Sequence, residues 1–235
     1  MQIETAQRVG YRVLNSYPHD GAAFTQGLLW HDGGFYESTG MEGQSSLRKV
    51  AFPSGRVLKK VDVPRPLFAE GLALVDDKLV QLTWQTRLGL IYDLKTLKPQ
   101  GRFSYQTEGW GITYDGKNLI MSDGSDALIY LDPKNFAPIR YLKVTLDGQA
   151  LRDLNELEWI EGEIWANVWH TDLIVRIDPA TGAVKKVVDL KGILPAEQRT
   201  GREDVLNGIA YDAAKKRVFV TGKYWPRIFH IEVDK

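Results

Sequence analysis

One short step of sequence recurs five times along the chain, setting a polar or bulky residue among apolar ones at the start of a β-rich run. It reads Phe24-Thr25-Gln26-Gly27-Leu28, Phe68-Ala69-Glu70-Gly71-Leu72, Gly109-Trp110-Gly111-Ile112, Leu154-Asn155-Glu156-Leu157 and Leu206-Asn207-Gly208-Ile209. Aligned on Gln26, Glu70, Trp110, Asn155 and Asn207, successive copies lie 44, 40, 45 and 52 residues apart. Those are the periods of propeller blades.

The order inside each repeat is constant. A turn such as Asp76-Asp77 or Glu161-Gly162 follows the marked step, then a second strand such as Leu79-Val80-Gln81-Leu82 or Ile164-Trp165-Ala166-Asn167. Third and fourth strands flank another turn, as in Leu173 to Ile177, Asp178 to Gly182 and Val184 to Val188. Helical periodicity is scarce, so the chain is read as all-β. The last repeat stops after its third strand, Arg227 to Val233, while the chain opens on an orphan strand, Tyr11-Arg12-Val13-Leu14. The expectation is a five-bladed β-propeller of four antiparallel strands per blade, one domain over residues 1–235, whose N-terminal strand completes the last blade. Two stretches exceed this plan, Asp147 to Arg152 and Gly192 to Asp204. The second contains a possible helical turn at Pro195 to Arg199, and both are candidates for a rim or lid.

Composition narrows the function. Thirty basic residues balance thirty acidic ones, so no electrostatic footprint favours nucleic acid or an anionic membrane. No apolar run reaches the roughly 20 residues that span a bilayer, and Met1-Gln2-Ile3-Glu4 does not begin a signal peptide. With no cysteine there is no thiolate nucleophile and no thiolate zinc site. The four histidines, His19, His31, His170 and His230, stand singly rather than at metal-binding spacing, so neither a metal nor another cofactor is expected.

In a propeller the innermost strands line the axis, so Gln26, Glu70, Trp110, Asn155 and Asn207 converge although far apart in sequence. Trp84 lies fourteen residues past Glu70, Trp169 fourteen past Asn155, and Lys223 sixteen past Asn207, which places them in a second layer. The expected site is a small aromatic box walled by Trp84, Trp110 and Trp169 with Phe24 and Phe68 nearby. It would hold Glu70, Gln26, Asn155, Asn207 and Lys223, the usual composition of a small-ligand cleft. Each member has a plainer reading. An aromatic residue in a strand is more often core than wall, asparagines cap turns, and a lysine at a strand end snorkels to solvent. Glu70 resists such a reading, because a carboxylate beside Phe68 without a partner is costly to bury.

Several segments together resemble the plant-type glutaminyl-peptide cyclotransferases, which also occur in bacteria. They are Tyr17-Pro18-His19-Asp20 through Leu28, Glu37-Ser38-Thr39-Gly40, Gly109-Trp110-Gly111 to Ser125, Leu154 to Trp159, Ala166-Asn167-Val168-Trp169 and Thr221-Gly222-Lys223-Tyr224-Trp225-Pro226. The resemblance implies a five-bladed propeller that converts N-terminal glutaminyl residues of peptides or proteins to pyroglutamate with release of ammonia, without a catalytic metal. It puts the acid/base glutamate on Glu70, the asparagine on Asn155, the lysine on Lys223, the tryptophans on Trp84, Trp110 and Trp169, and the first-blade pair on Phe24 and Gln26. It further implies a periplasmic or secreted protein, and a monomer is expected. Gly21 and Glu42 depart from the family pattern in loops outside the ring.

Such a reaction needs no enzymatic nucleophile, since the substrate's own amine attacks its side-chain amide. It needs a held conformer, a proton shuttle, for which Glu70 is the candidate, and oxyanion donors, for which Lys223 and Asn155 are both candidates. Two rivals are weighed beside it. One is a calcium-dependent lactonase-like propeller using Glu70, Asn155 and Asn207 as oxygen ligands, and the other is a non-catalytic scaffold.

Overall fold

The computed structural model describes residues 5–235, so Met1-Gln2-Ile3-Glu4, read above as no signal-peptide start, lie outside it. In the described residues, four-stranded antiparallel sheets stand five times around one axis. Blade 1 comprises Thr25–His31, Gly34–Thr39, Ser46–Ala51 and Val57–Asp62. Blade 2 comprises Ala69–Val75, Lys78–Thr83, Leu88–Asp93 and Pro99–Ser104. Blade 3 is built from Ile112–Tyr114, Leu119–Met121, Ala127–Leu131 and Pro138–Lys143. Blade 4 has Leu154–Ile160, Glu163–Val168, Leu173–Ile177 and Val184–Asp189. Blade 5 runs Leu206–Asp212, Arg217–Gly222, Arg227–Val233 and then Tyr11–Pro18, so the N-terminal strand closes the ring as expected.

The strand sequences follow their place in the blade. Second strands such as Gly34–Thr39 are buried along their whole length, whereas the outermost strands Val57–Asp62 and Pro99–Ser104 are largely exposed and rich in polar residues. Each pair of adjacent blades closes over its own apolar cluster. Leu29, Leu47, Leu72 and Tyr92 fill the space between blades 1 and 2, and Leu28, Phe35, Ala210 and Phe219 fill that between blades 5 and 1. Burial of apolar area between sheets therefore fixes the ring, with no lid or helix layer needed. One feature escaped the sequence reading: Gln7–Val9 adds a parallel fifth strand to blade 4, against Lys186, Val187 and Val188. The two long segments become a small hairpin, Thr145–Leu146 with Gln149–Ala150, and a 3-10 turn at Ala196–Gln198.

At the axis the inner strands approach within backbone contact. A Cβ on Gly27 would sit 2.5 Å from the Leu72 nitrogen of blade 2, and one on Gly71 would sit 2.7 Å from the Ile112 nitrogen of blade 3. Only glycine fits such an approach. Gly111 meets the backbone of blade 4 in the same way. In blade 4 the corresponding residue is Glu156, whose carboxylate accepts the backbone N–H groups of Ile209 (2.8 Å) and Leu28 (3.3 Å) and so ties blades 5 and 1 to blade 4.

A buried ionic network locks the seam between blades 1 and 5. His19 Nε2 donates to Glu37 Oε2 (2.6 Å) and Nδ1 to the Trp225 carbonyl (2.5 Å). Both partners are acceptors, so His19 is an imidazolium. Arg48 donates to Glu37 through Nε (3.1 Å) and Nη2, and to Asp20 through Nη1 (2.7 Å). Burial works against the His19 charge, but Glu37 more than offsets it and raises the pKa above 6.5. Burial likewise opposes ionisation of Glu37, yet His19 and Arg48 hold it at about 2.

The signs of these shifts give a pH profile. The Glu37 contribution is present above its ordinary value of 4.5 and is lost as pH falls toward about 2; that span corresponds to about 3 kcal/mol. The His19 contribution is present below 6.5 and is lost as pH rises through its raised folded value. Urea unfolding of Glu37→Gln at neutral pH is expected to show a loss of about 3–5 kcal/mol, the cost of breaking a buried pair. A loss below about 1 kcal/mol would show that the network does not hold the seam.

Candidate active site

Four of the five residues aligned by the repeat converge because their inner strands break register at that point; in blade 3 Trp110 stands just before the regular strand Ile112–Tyr114. Pairing shifts between Thr25 and Gly27 in blade 1, Ala69 and Leu72 in blade 2, Leu154 and Leu157 in blade 4, and Leu206 and Ile209 in blade 5. A bulge places an extra residue on one strand and re-aims its side chain. Here the re-aimed residues are Gln26, Glu70, Asn155 and Asn207.

Nine side chains enclose a cavity of about 170 Å³ at this end of the axis: Phe24, Gln26, Phe68, Glu70, Trp84, Trp110, Asn155, Trp169 and Lys223. All nine were named from sequence. The cavity is smaller than a cleft of about 510 Å³ at the far end of the inner strands, between blades 1 and 5. In that cleft, however, Asp212 and Arg217 are paired with each other (2.8 Å), whereas the axial cavity gathers an acid, an amine and two carboxamides against aromatic faces.

The aromatic residues form two arcs. In the first, the Lys223 amine lies 4.6 Å from the centre of the Phe24 ring. Phe24 meets Phe68 edge-on at 6.0 Å, and Phe68 meets Trp84 at 5.6 Å. The second is the T-shaped pair of Trp110 and Trp169 at 5.2 Å. Backbone hydrogen bonds set the second layer in a repeated manner. Gly40 N donates to Phe24 O, Trp84 N to Phe68 O, Trp169 N to Asp153 O and Lys223 N to Val205 O. Lys223 needs sixteen residues rather than fourteen because the turn between Asp212 and Arg217 is two residues longer than Asp76-Asp77. The same fourteen-residue offset applied to Gln26 and Trp110 falls on Gly40 and Gly124, which the sequence reading did not assign. A Cβ on Gly40 would sit 2.6 Å from Phe68, and one on Gly124 2.6 Å from Trp110, so the missing side chains make room for the box.

Asn207 corrects the expectation that it shares the box. It is fully buried behind the cavity wall, donating through Nδ2 to the Thr25 carbonyl (3.0 Å) and to Gln26 Oε1 (3.3 Å). This fixes the Gln26 amide so that Nε2 points to Glu70 Oε1 at 3.2 Å. Glu70 is 5% exposed, and burial pushes its pKa well above 4.5; Lys223 opposes the rise and Glu108 adds to it. Burial also lowers the Lys223 pKa, against the pull of Glu70 and Asp204. The site therefore holds an acid and an amine both driven toward their neutral forms, the condition for moving protons near neutral pH. Neither long segment expected at the rim contributes a lining residue. The last residue of the second, Asp204, together with the following Val205, instead pairs with the backbone of Lys223. A further residue missed from sequence is Glu108, which accepts the indole N–H of Trp84 (2.7 Å) and of Trp110 (3.0 Å).

Comparison with known proteins agrees with this architecture. The family model described as glutamine cyclotransferase matches residues 1–233. A glutaminyl-peptide cyclotransferase of Arabidopsis thaliana is 42% identical over 229 residues, covering 95% of this chain and 71% of the relative. The crystal structure of Myxococcus xanthus glutaminyl cyclase superposes with a TM-score of 0.91 at 39% identity, covering 97% of this chain and 98% of the other. Hydrazine synthase of Kuenenia stuttgartiensis, at 16% identity and a TM-score of 0.52 over 88% of this chain and 57% of the other, shares the fold alone.

Asn207→Ala removes the donor that orients Gln26 and strands a buried acceptor. The protein is expected to fold but to lose about 1–3 kcal/mol in urea unfolding. Unchanged stability would mean that Asn207 does not hold Gln26.

Proposed function

The chain belongs to the glutamine cyclotransferase family and converts N-terminal glutaminyl residues of peptides to pyroglutamate with release of ammonia; from that premise we propose that Glu70 is its proton shuttle. The lactonase and scaffold readings give way to this one. The observation that carries the assignment is that, among the described residues, Glu70 is the one carboxylic acid lining the cavity, oriented by Gln26 and enclosed by aromatic walls.

In the reaction the substrate α-amine attacks the side-chain amide carbon, forming the ring C–N bond. Glu70 takes the proton released from the amine and passes it to the departing nitrogen, which leaves as ammonia when the old C–N bond breaks. A carboxyl group raised by burial is better matched to an amine than an ordinary one, which eases both transfers. Asn155 and Lys223 face the amide oxygen and stabilise its charge in the tetrahedral intermediate. Trp84, Trp110, Trp169, Phe24 and Phe68 hold the side chain folded back on its own amine, and positioning of this kind removes several kcal/mol of barrier. The small cavity suits one glutaminyl side chain, with the rest of the peptide leaving past Trp84, which is 37% exposed.

We also read the enzyme as monomeric, exported and independent of metal. The cavity lining supports the last point, since Glu70 is its one carboxylate among the described residues and stands with an amine rather than with further anionic oxygen donors. Cyclase activity is expected to survive exhaustive chelation; loss restored by a single added metal would refute metal independence.

Ammonia release from a Gln-initiated dipeptide, with an Asn-initiated one as control, tests the activity. Glu70→Gln is expected to keep the fold and to lower turnover by roughly 10²–10⁴. Because the base form is required and the pKa is raised, kcat/KM of the native enzyme should decline on the acid side well above pH 4.5. Turnover by Glu70→Gln within about threefold of the native enzyme would assign the proton transfer elsewhere.

A further inference from the structure

The aromatic collar has a gap between its two arcs, and a carboxylate fills it. No ring contact joins Trp84 to Trp110 among the described residues; both indoles instead donate to the same oxygen, Glu108 Oε2, at 2.7 and 3.0 Å. The other oxygen, Oε1, accepts from Gln85 Nε2 at 3.3 Å. The backbone at this point is tied to the same wall, since Gly109 N donates to the Trp84 carbonyl at 3.1 Å and Trp110 N to the Ser122 carbonyl at 3.0 Å. Glu108 thus joins blade 2 to blade 3 at the rim, two residues before the aligned position of blade 3.

A half-exposed tryptophan at a rim has few packing neighbours on its solvent side, and the orientation of its plane is set by whatever holds its N–H. Trp84 is such a residue. A charge-assisted bond to a carboxylate is stronger than one to water, and two such bonds to one oxygen couple the planes of both rings. Burial works to raise the Glu108 pKa, but the two indole donors, the Gln85 amide and the nearby Arg87 charge bring it below 4.5.

We propose that Glu108 is a positioning residue for cyclisation, clamping Trp84 and Trp110 through its Oε2 so that the two aromatic arcs act as one collar around the substrate. The inference rests on the assignment of those tryptophans as cavity walls. Its effect falls on capture and folding of the glutaminyl side chain, which depend on the collar, more than on the proton transfers at Glu70.

The test uses Glu108→Ala, Glu108→Gln, the Trp84→Phe/Trp110→Phe double variant and its combination with Glu108→Ala, read by KM and kcat on a Gln-initiated dipeptide and by near-ultraviolet circular dichroism. Glu108→Ala is expected to raise KM about tenfold with a smaller change in kcat, and to flatten the tryptophan dichroism. Glu108→Gln should stay within about threefold in KM, because its carbonyl oxygen replaces Oε2 as acceptor for both indoles. In the double-Phe background, which lacks both indole N–H groups, Glu108→Ala should add no further increase. An equal defect in Glu108→Gln and Glu108→Ala would overturn the proposal in favour of a charge effect, as would an undiminished Glu108→Ala effect in that background. If Trp84→Ala and Trp110→Ala raise KM while Glu108→Ala does not, the clamp falls and the walls stand. If the two tryptophan variants leave KM unchanged, the wall assignment itself falls. Should Glu108→Ala fail to fold, Glu108→Ser removes the clamp by the same logic.

Discussion

Close packing of five backbones on one axis is the constraint from which the rest of this structure follows. Where Gly27, Gly71 and Gly111 face the next blade there is no volume for even a methyl group, so the inner strands are drawn together until their main chains touch. That proximity brings residues dozens of positions apart in sequence into one cavity, and the bulges beside it turn Gln26, Glu70 and Asn155 toward the centre. Glu156 shows the same constraint from the other side. At the position that is glycine in the other four blades it alone carries a side chain, and its carboxylate occupies the interval between blades by binding two main-chain N–H groups.

The electrostatics of the cavity come from the same enclosure. Glu70 is surrounded by apolar rings and reached by one carboxamide donor, so burial outweighs the nearby lysine and its proton is held more tightly than in water. A second buried acid, Glu37, behaves oppositely, because an imidazolium and a guanidinium contact it directly. Both carboxyl groups are almost inaccessible. Partner geometry, rather than depth, decides that one serves the architecture as a fixed anion and the other remains free to exchange a proton.

Much of this was legible in the sequence, and what was missed has identifiable physical reasons. A repeat fixes which positions share a layer, so Glu70, Trp84, Asn155 and Trp169 could be placed without coordinates. Periodicity does not say which way a side chain turns after a bulge, and so Asn207 was expected in the box although it faces Gln26 from behind. Glu108 precedes the aligned Trp110 in what reads as an ordinary polar loop, and its role exists only because Trp84 arrives from another blade. Gly40 and Gly124 were within reach, since the offset that found the tryptophans also finds them; their contribution is an absence of atoms, which a search for functional groups passes over. The strand Gln7–Val9 pairs in parallel with a distant edge and carries no hairpin signature that local sequence could reveal.

The closing strand has a consequence for how the molecule is made. Apart from the added Gln7–Val9, Tyr11–Pro18 is synthesised before every other strand of the ring, yet its hydrogen-bonding partner, Arg227–Val233, follows all the intervening blades. Throughout synthesis of the intervening blades the early strand has an unsatisfied edge, and the seam bearing His19 and Glu37 stays open. Ring closure is therefore an event of high contact order, and the nascent chain must keep that edge from pairing with neighbouring copies until Arg227–Val233 has been made. Because Lys223 and Phe24 come from opposite sides of this seam, the cavity is completed only when closure is, so activity is acquired in one step with the finished topology.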